Sequence, residues 1–259
     1  MITSCHFLGS SSLGNCLLVK STGGNFLVDA GFSGKQILER LQLFNLSIEE
    51  IDAVFITHEH MDHSQGLRGL FKYGHIRCFA NRATAVAINE KFGKAFQWNY
   101  FQSGEKFFYK NFIVETFSIP HDAIDPVGYL FRSQDGGKSL CWMTDLGYVP
   151  KQLQKYVEDS EILVLEANYD NALLENDKRP QAIKNRIRGR YGHLSNESAF
   201  HLVAHAGQPQ WQKIFLAHLS RDCNDSEIVT SLFGQDVCDR FNITVVDPHD
   251  AVGVSYACF

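Results

Sequence analysis

Thr57-His58-Glu59-His60-Met61-Asp62-His63 puts three histidines and two acids into the six residues His58 to His63. It follows directly on Ile51 to Thr57, a short and nearly all-apolar run that reads as a buried strand. A strand end that delivers this many imidazoles and carboxylates delivers ligands for Zn²⁺ and other divalent first-row ions. In extended chain, residues i and i+2 point the same way, so His58 and His60 can reach one ion. Asp62 and His63 can supply a second as the chain turns into the helix expected over Ser64 to Phe71. The spacing differs from the helical HExxH motif, whose histidines are four apart.

Further ligands have to come from other strand ends, and three positions qualify. His121 follows the apolar run Ile113 to Phe117, Asp145 follows Leu140 to Thr144, and His218 follows Phe215 to Ala217. Each alone could be a turn or capping residue, and it is their shared placement that is informative.

The rest of the chain reads as strands with helices between them. Met1 to Phe7 is an expected strand, followed by a polar turn, Gly9 to Asn15. Short runs at Cys16 to Lys20 and Asn25 to Asp29 flank Gly23-Gly24. Ser33 caps a helix to about Leu41. Strands are expected near Ile76 to Ala80, Phe107 to Lys110, Phe112 to Phe117, Val127 to Arg132, Ser139 to Thr144, Glu161 to Glu166, Lys213 to Ala217 and Asn242 to Val246. Helices are expected at Ala83 to Glu90, Ser195 to His205 and Asp225 to Phe233. Early hairpins and later strand–helix–strand units fit two sheets packed face to face with helices outside. No repeat or composition break divides the chain, so a single domain over residues 1–259 is expected.

The composition is that of a globular protein, with 44% hydrophobic and 20% charged residues. A net charge of −5 excludes a wholly basic coat protein for nucleic acid, but not a local basic patch. No stretch approaches the apolar length of a membrane span, and residues 1–14 lack the pattern of a signal peptide. Seven scattered cysteines without a CxxC pair argue against a disulfide framework or zinc knuckle and fit a cytoplasmic protein.

His58-Glu59-His60-Met61-Asp62-His63 matches the HxHxDH signature, and the chain resembles the metallo-β-lactamase superfamily over nearly its whole length. Gly9-Ser10-Ser11-Ser12-Leu13-Gly14-Asn15, Thr144-Asp145-Leu146-Gly147 and Leu165-Glu166-Ala167-Asn168 look like its YycJ/WalJ-like branch, which is similar to the RNase Z and RNase J catalytic domains. The resemblance implies an α/β fold, a four-layer αβ/βα sandwich with two mixed β-sheets. It also implies two divalent ions: one at His58, His60 and His121, the other at Asp62, His63 and His218, with Asp145 bridging. Zn²⁺ leads the candidates, with Mn²⁺ or Fe as alternatives.

Branch members are hydrolases and some are nucleases, so the implied activity is that of a phosphodiesterase or nuclease, an exonuclease among them, using a metal-bridging hydroxide. Glu166 and His193, in Gly192-His193-Leu194-Ser195, match the proton-transfer pair of RNase Z-like enzymes. Asp62, Glu166 and His193 are thus the candidate catalytic residues, Asp62 serving also as a ligand. Asp122 can orient the neighbouring imidazole or simply make a turn. The long insertion of RNase Z and the extra domain of RNase J have no room in this chain.

Lys178, Arg179, Lys184, Arg186, Arg188 and Arg190 form a run without acids just before His193. They are candidate contacts for the phosphates of DNA or RNA, although such a run is equally the solvated face of a helix. Two other enzyme readings stay open at this point: hydrolysis of a small phosphodiester, ester, thioester or lactam, and redox chemistry at an iron pair. A regulatory protein that keeps metal without catalysis is the non-enzyme alternative.

Overall fold

The computed structural model describes residues 1–258, and Phe259, the last residue of the expected single-domain span, lies outside the described residues. Among the described residues, fourteen strands are ordered along the chain. They are β1 (Ile2–Ser11), β2 (Gly14–Ser21), β3 (Asn25–Val28), β4 (Ile51–Phe55), β5 (Arg77–Asn81), β6 (Trp98–Phe101), β7 (Lys106–Tyr109), β8 (Phe112–Ser118), β9 (Val127–Ser133), β10 (Leu140–Met143), β11 (Ile162–Glu166), β12 (Lys213–Ala217), β13 (Ile243–Val245) and β14 (Ser255–Ala257). Two seven-stranded sheets result, one in the order β14-β1-β2-β3-β4-β5-β6 and the other β13-β12-β11-β10-β9-β8-β7. Both are mixed: antiparallel hairpins join β1, β2 and β3 in one and β7 to β10 in the other, while β3 to β6 and β10 to β13 run parallel.

Side-chain alternation explains why these strands read as unbroken apolar runs. In β11, Ile162 and Val164 enter the core between the sheets, while Leu163 and Leu165 face the helices outside. A strand buried on both faces has no polar side to show. The inter-sheet core is aromatic, with Phe7, Phe26, Phe55, Tyr129, Phe131, Trp142 and Phe215 all fully buried. One outer layer packs Ile37, Leu41 and Ile88 on Leu27 and Val54, and the other packs Val203, Val229 and Phe233 among Leu163, Leu165 and Leu216. This is the four-layer αβ/βα arrangement that the resemblance implies.

Several boundaries differ from the sequence-based expectation. Gly9, Ser10 and Ser11 continue β1 past a register shift between Phe7 and Gly9, so only Ser12 and Leu13 form the turn. The helix expected over Ser64 to Phe71 is two single turns, Met61–Ser64 and Leu67–Leu70. β6 and β14 were not expected, and β14 closes the first sheet by pairing antiparallel with β1. Among the described residues no helix is long and apolar enough to cross a membrane.

Candidate metal centre

β3, β4, β8, β10, β11 and β12 deliver their C-terminal residues, or those just beyond, to one shared site. Asp29, the HxHxDH segment, His121, Asp145, Glu166 and His218 all sit there. Three of the turns involved use left-handed backbone, with φ of 60° at Asp29, 62° at Asp145 and 58° at His218. Few non-glycine residues adopt this conformation, and aspartate and histidine are among those that do so most readily.

All seven residues expected as ligands come together. The ligand atoms of His58, His60 and His121 lie within 4.8 Å of one another, as do those of Asp62, His63 and His218 and those of His58, His63 and Asp145. His121 Nε2 is 3.3 Å from His60 Nδ1. Asp145 Oδ2 lies 3.2 Å from His63 Nε2, and its Oδ1 lies 3.5 Å from His218 Nε2 and 3.9 Å from His121 Nε2. Asp145 thus reaches toward both groups.

The nitrogens turned away from this cluster are tied down. His63 Nδ1 is held by Asp29 Oδ2 at 2.7 Å, and His218 Nδ1 by Glu166 Oε1 at 2.8 Å. His121 Nδ1–H donates to Gly192 O at 3.1 Å. The Thr57 hydroxyl donates to Asp29 and accepts from His58 Nδ1, each at 3.0 Å. Such outer contacts fix the tautomer and direct the opposite nitrogen inward.

Three buried atoms in the centre have no hydrogen-bond partner: His58 Nε2, His218 Nε2 and Asp145 Oδ2. Leaving a buried polar atom unpaired costs roughly 1–3 kcal/mol. Two imidazole lone pairs and a carboxylate oxygen converging without partners form a donor set that fits divalent cations.

Charge divides the cluster. Burial pushes the His58 and His60 imidazoles down, and the neighbouring imidazoles push them further. His63 is also disfavoured by burial, but Asp145, Asp62 and Asp29 outweigh this and hold it well above the usual histidine value. His218 is likewise penalised by burial, yet Asp145, Asp62 and Glu166 raise it to about 10. Burial would raise Glu166 too, but His193 and His218 keep it below the usual carboxylate range.

Glu166 is a fully engaged, buried hub. Its Oε1 accepts from His193 Nδ1 and His218 Nδ1, both at 2.8 Å, and its Oε2 accepts the Leu146 and Leu194 N–H groups at 3.0 and 2.9 Å. His193 therefore stands beside the cluster, with its Nδ1 3.7 Å from Asp145 Oδ1.

Asp29 belongs to this cluster and was passed over by sequence reasoning. Its only signal was an acid ending a short strand. The loop carrying it fits tightly beneath the ligand helix: a Cβ on Gly31 would fall 1.7 Å from Asp62 O. Ser10 and Asn168 support His218, the Ser10 hydroxyl accepting its backbone N–H at 2.9 Å and the Asn168 amide donating to its carbonyl at 2.7 Å. The Asn15 amide lies 3.2 Å from His63 Nε2, which puts the first hairpin turn against the cluster.

The basic run is narrowed by acids from elsewhere in the chain. Lys184 is buried and donates to Glu175 O. Arg179 pairs with Asp177 at 2.6 Å and Asp222 at 3.2 Å, and Arg188 with Glu175 at 2.5 Å. Arg186 is exposed and pairs with Asp122, which therefore serves the arginine rather than the far nitrogen of His121. Arg190 donates to Tyr148 Oη at 3.2 Å, and Lys178 is exposed. Ser220 accepts the Cys223 N–H in a local turn.

The profile of the family described as Beta-lactamase superfamily domain matches residues 24–218. The chain belongs to the beta-lactamase superfamily. Within this superfamily, the Exodeoxyribonuclease WalJ of Streptococcus pneumoniae serotype 2 is 36% identical over 226 residues, covering 85% of this chain and 83% of that protein. The Exodeoxyribonuclease YycJ of Bacillus anthracis is 32% identical over 262 residues, covering 97% and 98%. Among solved structures, the metallo-beta-lactamase fold protein YhfI of Bacillus subtilis matches with a TM-score of 0.71 at 16% identity over 99% of both chains. Human tRNase Z, short form, matches at 0.67 and 18% over 99% of both. At such identities the likeness to the solved structures is one of fold.

Proposed function

We propose that this chain is an exodeoxyribonuclease holding two divalent ions. It is a metal-dependent hydrolase of phosphodiester bonds. His58, His60 and His121 would hold one ion, and Asp62, His63 and His218 the other, with Asp145 shared between them. This imidazole and carboxylate set suits Zn²⁺ and also Mn²⁺ or Fe. When bound, such ions lower the pKa of a shared water and offset charge on the phosphoryl oxygens.

The observation that carries the proposal is the Glu166–His193 pair at the border of the ligand cluster. Glu166 accepts the Nδ1–H of His193 and so leaves Nε2 to face the reaction. Burial disfavours the imidazolium, but the Glu166 carboxylate outweighs burial and raises His193 above its ordinary pKa. This favours the imidazolium form, whose Nε2–H is placed to be given to the leaving oxygen. The same Glu166 oxygen orients His218, so a single carboxylate aligns both a ligand and the proton donor. DNA is favoured over a small ester or lactam by the two exodeoxyribonucleases that match most of the chain. Exposed Arg186 and Arg190 border the cluster and supply cations for flanking phosphates.

The test is a metal-replete panel of single- and double-stranded DNA, RNA and a thioester, with analysis of product ends. Metal-dependent release of mononucleotides from DNA is expected. Hydrolysis of the thioester with DNA untouched overturns the proposal. His193→Ala should keep its metal content and lose about 10²- to 10⁴-fold in rate, and full activity in that variant removes His193 from the mechanism.

A further inference from the structure

The segments that supply the metal centre also carry exposed apolar side chains that the hydrolytic chemistry does not use. Met61, Ile124, Tyr148 and Tyr191 are all exposed large side chains, and each lies within three residues of a proposed ligand or of His193. Tyr191 is the most open of the aromatic pair, at 63% exposure. Singly exposed hydrophobic residues are ordinary, but several on adjoining loops beside one site offer a binding surface.

The loops bearing them are stitched together. The Tyr191 carbonyl accepts the Asp122 N–H at 2.9 Å, and the Gly192 carbonyl next to it holds His121 Nδ1 at 3.1 Å. Gly147 N–H donates to Pro120 O at 3.0 Å. A Cβ on Gly147 would meet Arg190 O at 2.4 Å, so the backbone before Tyr148 presses on the backbone before Tyr191. Ile124 N–H donates to Glu59 Oε1 at 3.1 Å. Tyr191 thus has a fixed backbone and a free ring, next to the residue that orients a ligand and two positions before the proton donor.

Cations complete the pattern. Arg186 is exposed beside Asp122, and the Arg190 guanidinium lies 5.0 Å from the Tyr148 ring centroid. Exposed aromatic rings interleaved with arginines suit a polymer that alternates flat bases with phosphates. In a duplex the interior base faces are covered by neighbours and only a terminal base leaves a face open, so a ring takes a base at the end of a strand.

We propose that Tyr191, assisted by Tyr148, stacks on the terminal nucleobase beside the scissile phosphate, so that the enzyme engages the end of a strand. The inference rests on the exodeoxyribonuclease reading. Because every base has a π-face, the contact is indifferent to sequence.

The experiment compares wild type, Tyr191→Ala and Tyr191→Phe on two DNA oligonucleotides that differ only in whether the terminal nucleotide carries a base or is abasic. With the base present, Tyr191→Ala should raise KM by about 5- to 100-fold while Tyr191→Phe stays near wild type. On the abasic end, wild type should fall to the level of Tyr191→Ala, and the three proteins should be equal. Metal content should match throughout. Equal losses for Tyr191→Ala on both substrates, or no loss on either, overturn the inference while leaving the nuclease intact. Wild type that cuts neither oligonucleotide overturns the nuclease reading and this inference with it.

Discussion

On one side of the centre, His58 and His121 are backed by neutral oxygens, the Thr57 hydroxyl and the Gly192 carbonyl. On the other, His63 and His218 are backed by the buried carboxylates of Asp29 and Glu166. The same side chain therefore stands in two electrostatic settings a few ångströms apart. Beside the neutral oxygens, His58 and its neighbour His60 are pushed below the ordinary histidine value by burial and by the surrounding imidazoles. The acid-backed side gathers protons when no cation is there to compete. The difference teaches that the HxHxDH segment is not one uniform ligand strip: its two halves owe their orientation to different parts of the fold.

The largest expected effect comes from the residue common to both sides. Asp145→Ala should reduce DNA turnover by more than about 10⁴-fold, beyond the upper range for losing a general acid, and should lower total metal content measured by elemental analysis. Unchanged content would end the idea that Asp145 serves the two positions together.

Glu166→Gln should come next. It removes the charge behind His218 and His193 at once and should cost about 10- to 100-fold in metal affinity at the acid-backed position, with a further loss in rate. An equal loss at both positions, read by metal titration, would erase the contrast between the two sides.

Asp29→Asn should weaken affinity by about 10- to 100-fold, whereas Thr57→Val removes one neutral hydrogen bond behind His58 and should cost only about 2- to 10-fold. A Thr57→Val loss as large as that of Asp29→Asn would show that the hydroxyl carries the influence of Asp29 across to the neutral-backed side.

The smallest expected effect is on pH dependence of the metal-free protein. His218, raised from 6.5 to about 10, contributes stability in full below pH 6.5 and loses it as pH rises through about 10. His58 and His60, lowered from 6.5, act oppositely: the unfolded chain binds more protons as pH falls below 6.5, so stability declines there. Thermal melts should thus fall off on both flanks. Glu166→Gln should flatten the alkaline flank, and it should also soften the acid flank, because Glu166 is itself held below the usual carboxylate range. An alkaline flank left unchanged by Glu166→Gln would place His218 in the wrong group.

Much of this centre was legible in the sequence because apolar runs announce strands and ligand-type residues at their ends announce the rim. His121, Asp145 and His218 were each visible in that way. Asp29 was not, because one acid after a four-residue strand has no local signature, and its value comes from the neighbouring β4, which is paired with β3 in space. β14 was missed because a three-residue strand is too short for its alternation, half-buried Val254, Tyr256 and Cys258 between exposed Ser255 and Ala257, to stand out, and its existence depends on the β1 edge it covers. The ion pairs of the basic run were illegible for a related reason. Composition cannot show that Asp122, Glu175 and Asp222 will fold back onto it.

The left-handed backbone at Asp29, Asp145 and His218 makes alanine a poor blank for probing these positions. Alanine deletes the functional group but keeps the Cβ, which costs roughly 1–2 kcal/mol in this conformation, and it lacks the polar side chain that lets aspartate and histidine tolerate it. Glycine accepts that conformation freely, so Asp145→Gly should fold at least as well as Asp145→Ala while being just as inert, and thermal melts of the two metal-free proteins would reveal how much of an alanine phenotype belongs to the main chain.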